Sequence, residues 1–141
     1  MKKLVFVLSL ALMLFSCENE SVSENPSDLQ KRSGSYDLII LDEEDISSEG
    51  FILELEGEEQ RLSGKTGCNN FVATYEVEEK QLKFNPSLGT KMYCEGEMEN
   101  EETFRKILPQ IRKVKISEEE LVFLSEENKE LLKLQKINES E

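Results

Sequence analysis

The side chains able to do chemistry in this 141-residue sequence are three cysteines, 30 carboxylates and a lysine in a glycine-rich stretch; histidine and tryptophan are absent. Without histidine there is no ready general base near neutral pH, no Ser-His or Cys-His nucleophile pair and no usual catalytic zinc set. An enzyme built here works with Asp, Glu, Lys, Tyr or Cys. Two carboxylates can divide the acid and base roles of glycan cleavage when they stand about 5 to 9.5 Å apart in a concave site. Glu95, Glu97 and Glu101 are the carboxylates to watch.

Several other patterns fail on spacing. Gly64-Lys65-Thr66 mimics the end of a phosphate-binding loop, but Glu59 stands where the earlier glycine is needed and Gly67 interrupts the required helix. The acidic runs Asp42 to Asp45 and Glu95 to Glu102 lack the spacing and glycine of an EF-hand loop, so they read as solvated acidic surface. Glu101 differs, because it falls on the apolar face of a predicted helix and is expected to bond inward.

Cys17 has a different chemistry. Lys2 and Lys3 give a positive start, Leu4 to Phe15 give an apolar run, and Leu14-Phe15-Ser16-Cys17 gives the Leu-x-small-Cys end of a bacterial lipoprotein signal. Such a run is too short for a permanent span, which needs about 20 residues. The expectation is cleavage after residue 16 and acylation of Cys17, which hangs the protein from a membrane by its lipid, with the outer membrane or cell surface favoured. The mature chain then carries 15 basic against 30 acidic residues, a net charge of −15. An acidic surface repels polyanions, which excludes nucleic acid as a partner and keeps the domain soluble. With Cys17 acylated, Cys68 and Cys94 remain: an even pair in an exported protein is the usual material of a disulfide, the alternative being two buried thiols packed as small apolar groups. No Cys-x-x-Cys spacing supports a catalytic dithiol.

The elements that must position these residues follow from periodicity. Residues 17–33, Ser-, Asn- and Glu-rich, read as a flexible acidic tether. From Gly34, segments with apolar residues at every second position predict an antiparallel sheet: Tyr36 to Leu41, the Phe51-Leu53-Leu55 segment, Gln60 to Lys65, the Phe71-Ala73-Tyr75-Val77 segment, Gln81 to Phe84, and Leu88 to Met92 after the Asn85-Pro86-Ser87 break. Met98, Glu101, Phe104, Ile107 and Leu108 then fall at steps of three and four, predicting an amphipathic helix from Glu97 to Leu108 that Pro109 ends. Three closing strands follow around Val114 to Ile116, Leu121 to Leu124 and Leu131 to Leu134. Strand runs around one helix define an α+β domain, mostly antiparallel sheet or a partly closed barrel.

Three separated motifs in this order carry a family resemblance: Ser63-Gly64-Lys65-Thr66-Gly67-Cys68-Asn69 with Phe71 and Tyr75 following, Thr90-Lys91-Met92-Tyr93-Cys94, and Met98, Glu101 and Phe104 at helical spacing. The set resembles the META domain, or HslJ-like, family over roughly Gly34 to Lys136. Tyr36 stands where members usually have tryptophan, Ala73 where many have glycine, and Tyr93 where alanine is common. The resemblance implies a cracked β-barrel with one helix, in an envelope or secreted protein linked with heat shock, stress response, drug tolerance or secretion, and no established enzymatic activity.

From the residues themselves, Gly64 and Gly67 are expected to bend the chain between strands, with Asn69 or Asn70 bonding back to that turn. The expected organisation is a signal peptide at 1–16, a lipidated tether at 17–33, one domain at 34–137 and a tail at 138–141. The expected function is that of a monomeric envelope lipoprotein, without catalytic residues, cofactor or metal, that binds an envelope protein or an apolar ligand. The competing reading is a carboxylate-based envelope hydrolase acting on glycans.

Overall fold

Alternation is satisfied by curling one antiparallel sheet around a single core. A computed structural model describes residues 21–85, 88–96 and 98–138; Cys17, Glu97 and the end of the C-terminal tail lie outside them. The main strands are β1 (Ser33–Leu41), β3 (Ile52–Glu56), β4 (Arg61–Thr66), β5 (Asn69–Glu78), β6 (Gln81–Phe84), β8 (Lys113–Ile116), β9 (Glu120–Leu124) and β10 (Glu130–Lys136). Two-residue strands β2 (Glu44–Asp45) and β7 (Leu88–Gly89) add to β1 and β5, and helix α1 spans Met98–Ile107.

Two meanders, β3 to β6 and β8 to β10, are joined through β1, giving the order β6-β5-β4-β3-β1-β10-β9-β8. Strand β1 therefore pairs with β3 on one side and β10 on the other, Tyr36 lying opposite Lys136 and Leu53. The two ends of the sheet approach where the Leu82 N–H donates to the Arg112 carbonyl at 2.8 Å. The result is a nearly closed barrel with one short helix, the expected fold class. Tyr36, Tyr75, Phe104, Phe123 and a set of leucines fill its interior, each under 2 % exposed. A barrel of about eight strands is just wide enough for side chains to fill it, so the inside is core.

The helix falls where the three-four spacing places it, with Glu101, Phe104 and Ile107 buried. A single 3-10 turn, Leu108–Gln110, continues it and holds Pro109 at its start, where a missing N–H costs nothing.

The expected tether is corrected by the structure. Pro26–Lys31 form a 3-10 helix capped by Asn25, whose Oδ1 accepts the Ser27 N–H at 3.2 Å. Leu29 is fully buried, and Ser23 exchanges two main-chain hydrogen bonds of 2.8 Å with Ile116. The physical reason is that one well-placed leucine, worth about 1.5–3 kcal/mol when buried, outweighs the polar character of its neighbours. The folded unit thus begins by Ser23, not at Gly34.

Candidate functional site

The motif residues converge at one end of the barrel, where the β4–β5 turn, the segment after β7 and α1 meet. Gly67, at φ +75°, makes the turn itself. Gly64 does not: it lies inside β4 opposite Leu53 and Phe71, and a Cβ there would sit 2.6 Å from the Ile52 carbonyl oxygen. Close backbone approach, and not a bend, is what glycine supplies at that position.

Asn69 opens β5 and is 1 % exposed. Contrary to the expectation that it bonds to its own turn, its amide reaches across to two other segments. Oδ1 accepts the Met92 N–H at 2.7 Å and the Thr90 hydroxyl at 2.8 Å; Nδ2 donates to the Met92 carbonyl at 2.9 Å and to Glu101 Oε1 and Oε2 at 3.0 and 2.9 Å. All donor and acceptor capacity of one buried amide is therefore engaged. Asn70 contributes its main chain only, the N–H donating to Thr90 Oγ1 at 3.1 Å.

Glu101 is 3 % exposed and, as expected, bonds inward. Arg105, one helical turn on, pairs with its Oε1 at 3.0 Å and donates to the Thr90 carbonyl at 3.0 Å. A buried carboxylate is tolerable only when paired and hydrogen-bonded in this way. Beneath it, the Phe104 ring packs on Phe71 with centroids 4.7 Å apart, seating α1 on β5. Met98 is half-buried at the start of the helix, and Tyr75 stands apart, its hydroxyl 3.4 Å from the Gly57 carbonyl, with burial pushing its pKa up to about 12.

Cys68 and Cys94 form a disulfide with Cα atoms 5.9 Å apart. It ties the β4–β5 turn to the same segment that Asn69 holds, so 90–94 is fastened by a covalent bond at one end and a buried amide in the middle. The strand expected over Leu88 to Met92 is accordingly only Leu88–Gly89. The Thr90 N–H still donates to the Asn70 carbonyl at 3.2 Å, but beyond it the chain is irregular because both main-chain groups of Met92 bond the Asn69 side chain instead of a ladder.

Besides Thr90 and Lys91, this fastening presents large apolar groups outward. Leu88 is 77 %, Met92 55 % and Tyr93 82 % exposed, with Val72 half-exposed opposite Leu88. Beside them Glu49, Gly50, Phe51, Ile52, Lys65 and Gly67 line an open hollow of about 360 Å³. Sequence reasoning did not single out Leu88, nor Arg105 as the partner of Glu101; the four-residue spacing of Glu101 and Arg105 was the available signal. Of the carboxylates singled out for glycan cleavage, Glu101 is enclosed by Asn69 and Arg105, Glu95 is exposed on the loop beyond Cys94, and Glu97 lies outside the described residues. No cluster of three or more metal-ligating side chains occurs among the described residues.

A small, filled antiparallel barrel, closed at one end by a helix and a disulfide-fastened loop, is the class these features define. The chain belongs to the META domain family, which matches over residues 29–138. That match begins at Leu29, in keeping with the early start of the folded unit. Among curated proteins none matches the chain. A solved structure of a protein from Burkholderia xenovorans is similar with TM-score 0.61 and 19 % identity, covering 82 % of this chain and 90 % of the other. A second solved structure is similar with TM-score 0.57 and 20 % identity, covering 79 % of this chain and 93 % of the other. Both are likenesses of fold.

Proposed function

We propose that this protein is a lipid-anchored, non-enzymatic module of the bacterial envelope that binds a protein partner through the rim of Leu88, Met92 and Tyr93, in envelope stress response or secretion. The observation that carries this reading is that large apolar groups are held in water by a loop fastened twice. Met and aromatic side chains are enriched at protein contacts. A loop that is already rigid loses little conformational freedom when it binds. A filled barrel interior favours contact at the surface over an apolar ligand inside. Membership of the META family supports the envelope context, and the signal ending at Cys17 supports the anchor.

The test is complementation of a deletion strain under envelope stress with the Leu88→Ser/Tyr93→Ser double variant. Both positions are exposed, so the variant is expected to fold and melt as the parent does, yet behave like the deletion. Full complementation by a correctly exported double variant rejects the rim as the working surface.

A further inference from the structure

We propose that the rim of Leu88, Met92 and Tyr93 faces away from the membrane and takes a water-soluble protein, not the bilayer; this rests on reading Cys17 as the lipid anchor. Exposed Leu, Met and Tyr side chains on a lipoprotein invite the opposite thought, that they dip into lipid. The position of the N-terminal segment opposes it.

The chain joins the barrel at Ser23, paired with Ile116. Six residue steps separate Cys17 from Ser23, so the connection reaches at most about 21 Å even when fully extended. Strand β5 gives the scale of the barrel. Its ten residues, Asn69–Glu78, run about 33 Å, or roughly 25 Å along the axis after an ordinary barrel tilt.

The rim is bonded to the Asn69 end of that strand, through Asn69 itself and the Cys68–Cys94 bridge. The anchor enters near the other end: Lys80, in the turn just after Glu78, lines one hollow of about 210 Å³ together with Glu24 and Lys115. Anchor and rim therefore occupy opposite ends of the barrel. Turning the rim onto the bilayer requires the connection to run back along the whole barrel and still reach the lipid, which exceeds its length.

Charge at the anchor entry is mixed: Lys31 and Arg32 share a hollow with Ser23 and Ile116, and Lys113 and Lys115 lie with Glu24 beside Lys80, while the adjoining turns carry Glu58, Glu78 and Glu118. It is the reach of the connection that offers the apolar rim to the aqueous compartment beyond.

The chain has no tryptophan, so Tyr93→Trp introduces a sole indole at the rim, and Val22→Trp places one beside the anchor entry. Each full-length variant, exported and purified, is reconstituted through its own acyl chains into phosphatidylethanolamine/phosphatidylglycerol vesicles. Tyr93→Trp is expected to keep its emission maximum on reconstitution, to be quenched by aqueous acrylamide and to be untouched by brominated lipid; Val22→Trp is expected to be quenched by brominated lipid several-fold more. A blue shift and strong bromolipid quenching at position 93 overturn the proposal. A photo-crosslinker at position 93 in living cells gives the second readout. A cross-link to a water-soluble protein that Leu88→Ser abolishes is expected; adducts confined to lipid or to integral membrane proteins overturn it. Intact mass of the purified protein reads the anchor separately: an unacylated Cys17 removes both readings, whereas an acylated protein with a lipid-buried rim removes only this one.

Discussion

Asn69 Nδ2 donates to both carboxylate oxygens of Glu101, at 3.0 and 2.9 Å, joining the first residue of β5 to the first turn of α1 at a point where neither is solvated. Because the same nitrogen also serves the Met92 carbonyl, one amide fixes helix, strand and rim loop together. Asn69→Asp replaces the donor with a second carboxylate facing Glu101 and is expected to cost about 3–5 kcal/mol, as breaking a buried charged contact does. Glu101→Gln keeps one acceptor oxygen for Asn69 but turns the other into a donor and removes the charge that pairs with Arg105, so it is expected to cost less, about 1–3 kcal/mol, and to leave complementation largely intact. Urea denaturation of both variants checks the order; a Glu101→Gln protein that folds normally yet behaves like the deletion would point to chemistry at Glu101.

The Cys68–Cys94 bridge is expected to form once the protein is exported. Intact mass should rise by two hydrogens on reduction, and Cys68→Ala/Cys94→Ala should lose about 3–4 kcal/mol, the loop-closure value for roughly 26 residues. Two freely alkylated thiols in the native exported protein would contradict it.

Leu29 separates a docked N-terminal segment from a free one. Leu29→Ala is expected to lower stability by about 2–5 kcal/mol, since it empties a fully buried site, whereas a loose tether would register no change. Thermal melting of the full-length variant decides between them.

Cys17→Ala is expected to release the protein from membranes or to leave its precursor uncleaved. Fractionation of envelope and soluble material reads the outcome, and unchanged processing and sedimentation would reject the anchor.

Tyr75 sets an alkaline limit. Burial raises its folded pKa to about 12 from an ordinary value of 10.0, so the stability due to its neutral hydroxyl is fully present below pH 10 and is lost as pH rises towards 12. The loss amounts to roughly 2–3 kcal/mol across that window. Melting curves from pH 8 to 12 should show the parent losing stability relative to Tyr75→Phe above pH 10, because the phenylalanine variant has no hydroxyl to ionise.

Much of the barrel was legible residue by residue. Phe51, Leu53 and Leu55 are buried as their alternation requires, and so are Phe71, Ala73 and Tyr75 on β5 and Phe104 and Ile107 on α1. Period is a local property, and a face that must be apolar declares itself over five or six residues. Glu101 was legible as an inward carboxylate for the same reason, because a charge on an apolar stripe must find a partner.

By itself, then, the sequence determined most of the element types, the face each one buries and the family. Tertiary structure decided which residues meet across long separations. That Asn69 bonds Met92, Thr90 and Glu101 instead of its own turn, that Gly64 accommodates the Ile52 carbonyl, that Leu29 docks a stretch composed like a tether, and that the rim gathers at the Asn69 end of β5 all depend on strand order and register. Those relations are set when β1 bridges β3 and β10 and the sheet closes on itself. No local pattern encodes them, because the free energy that selects them comes from burying many side chains at once.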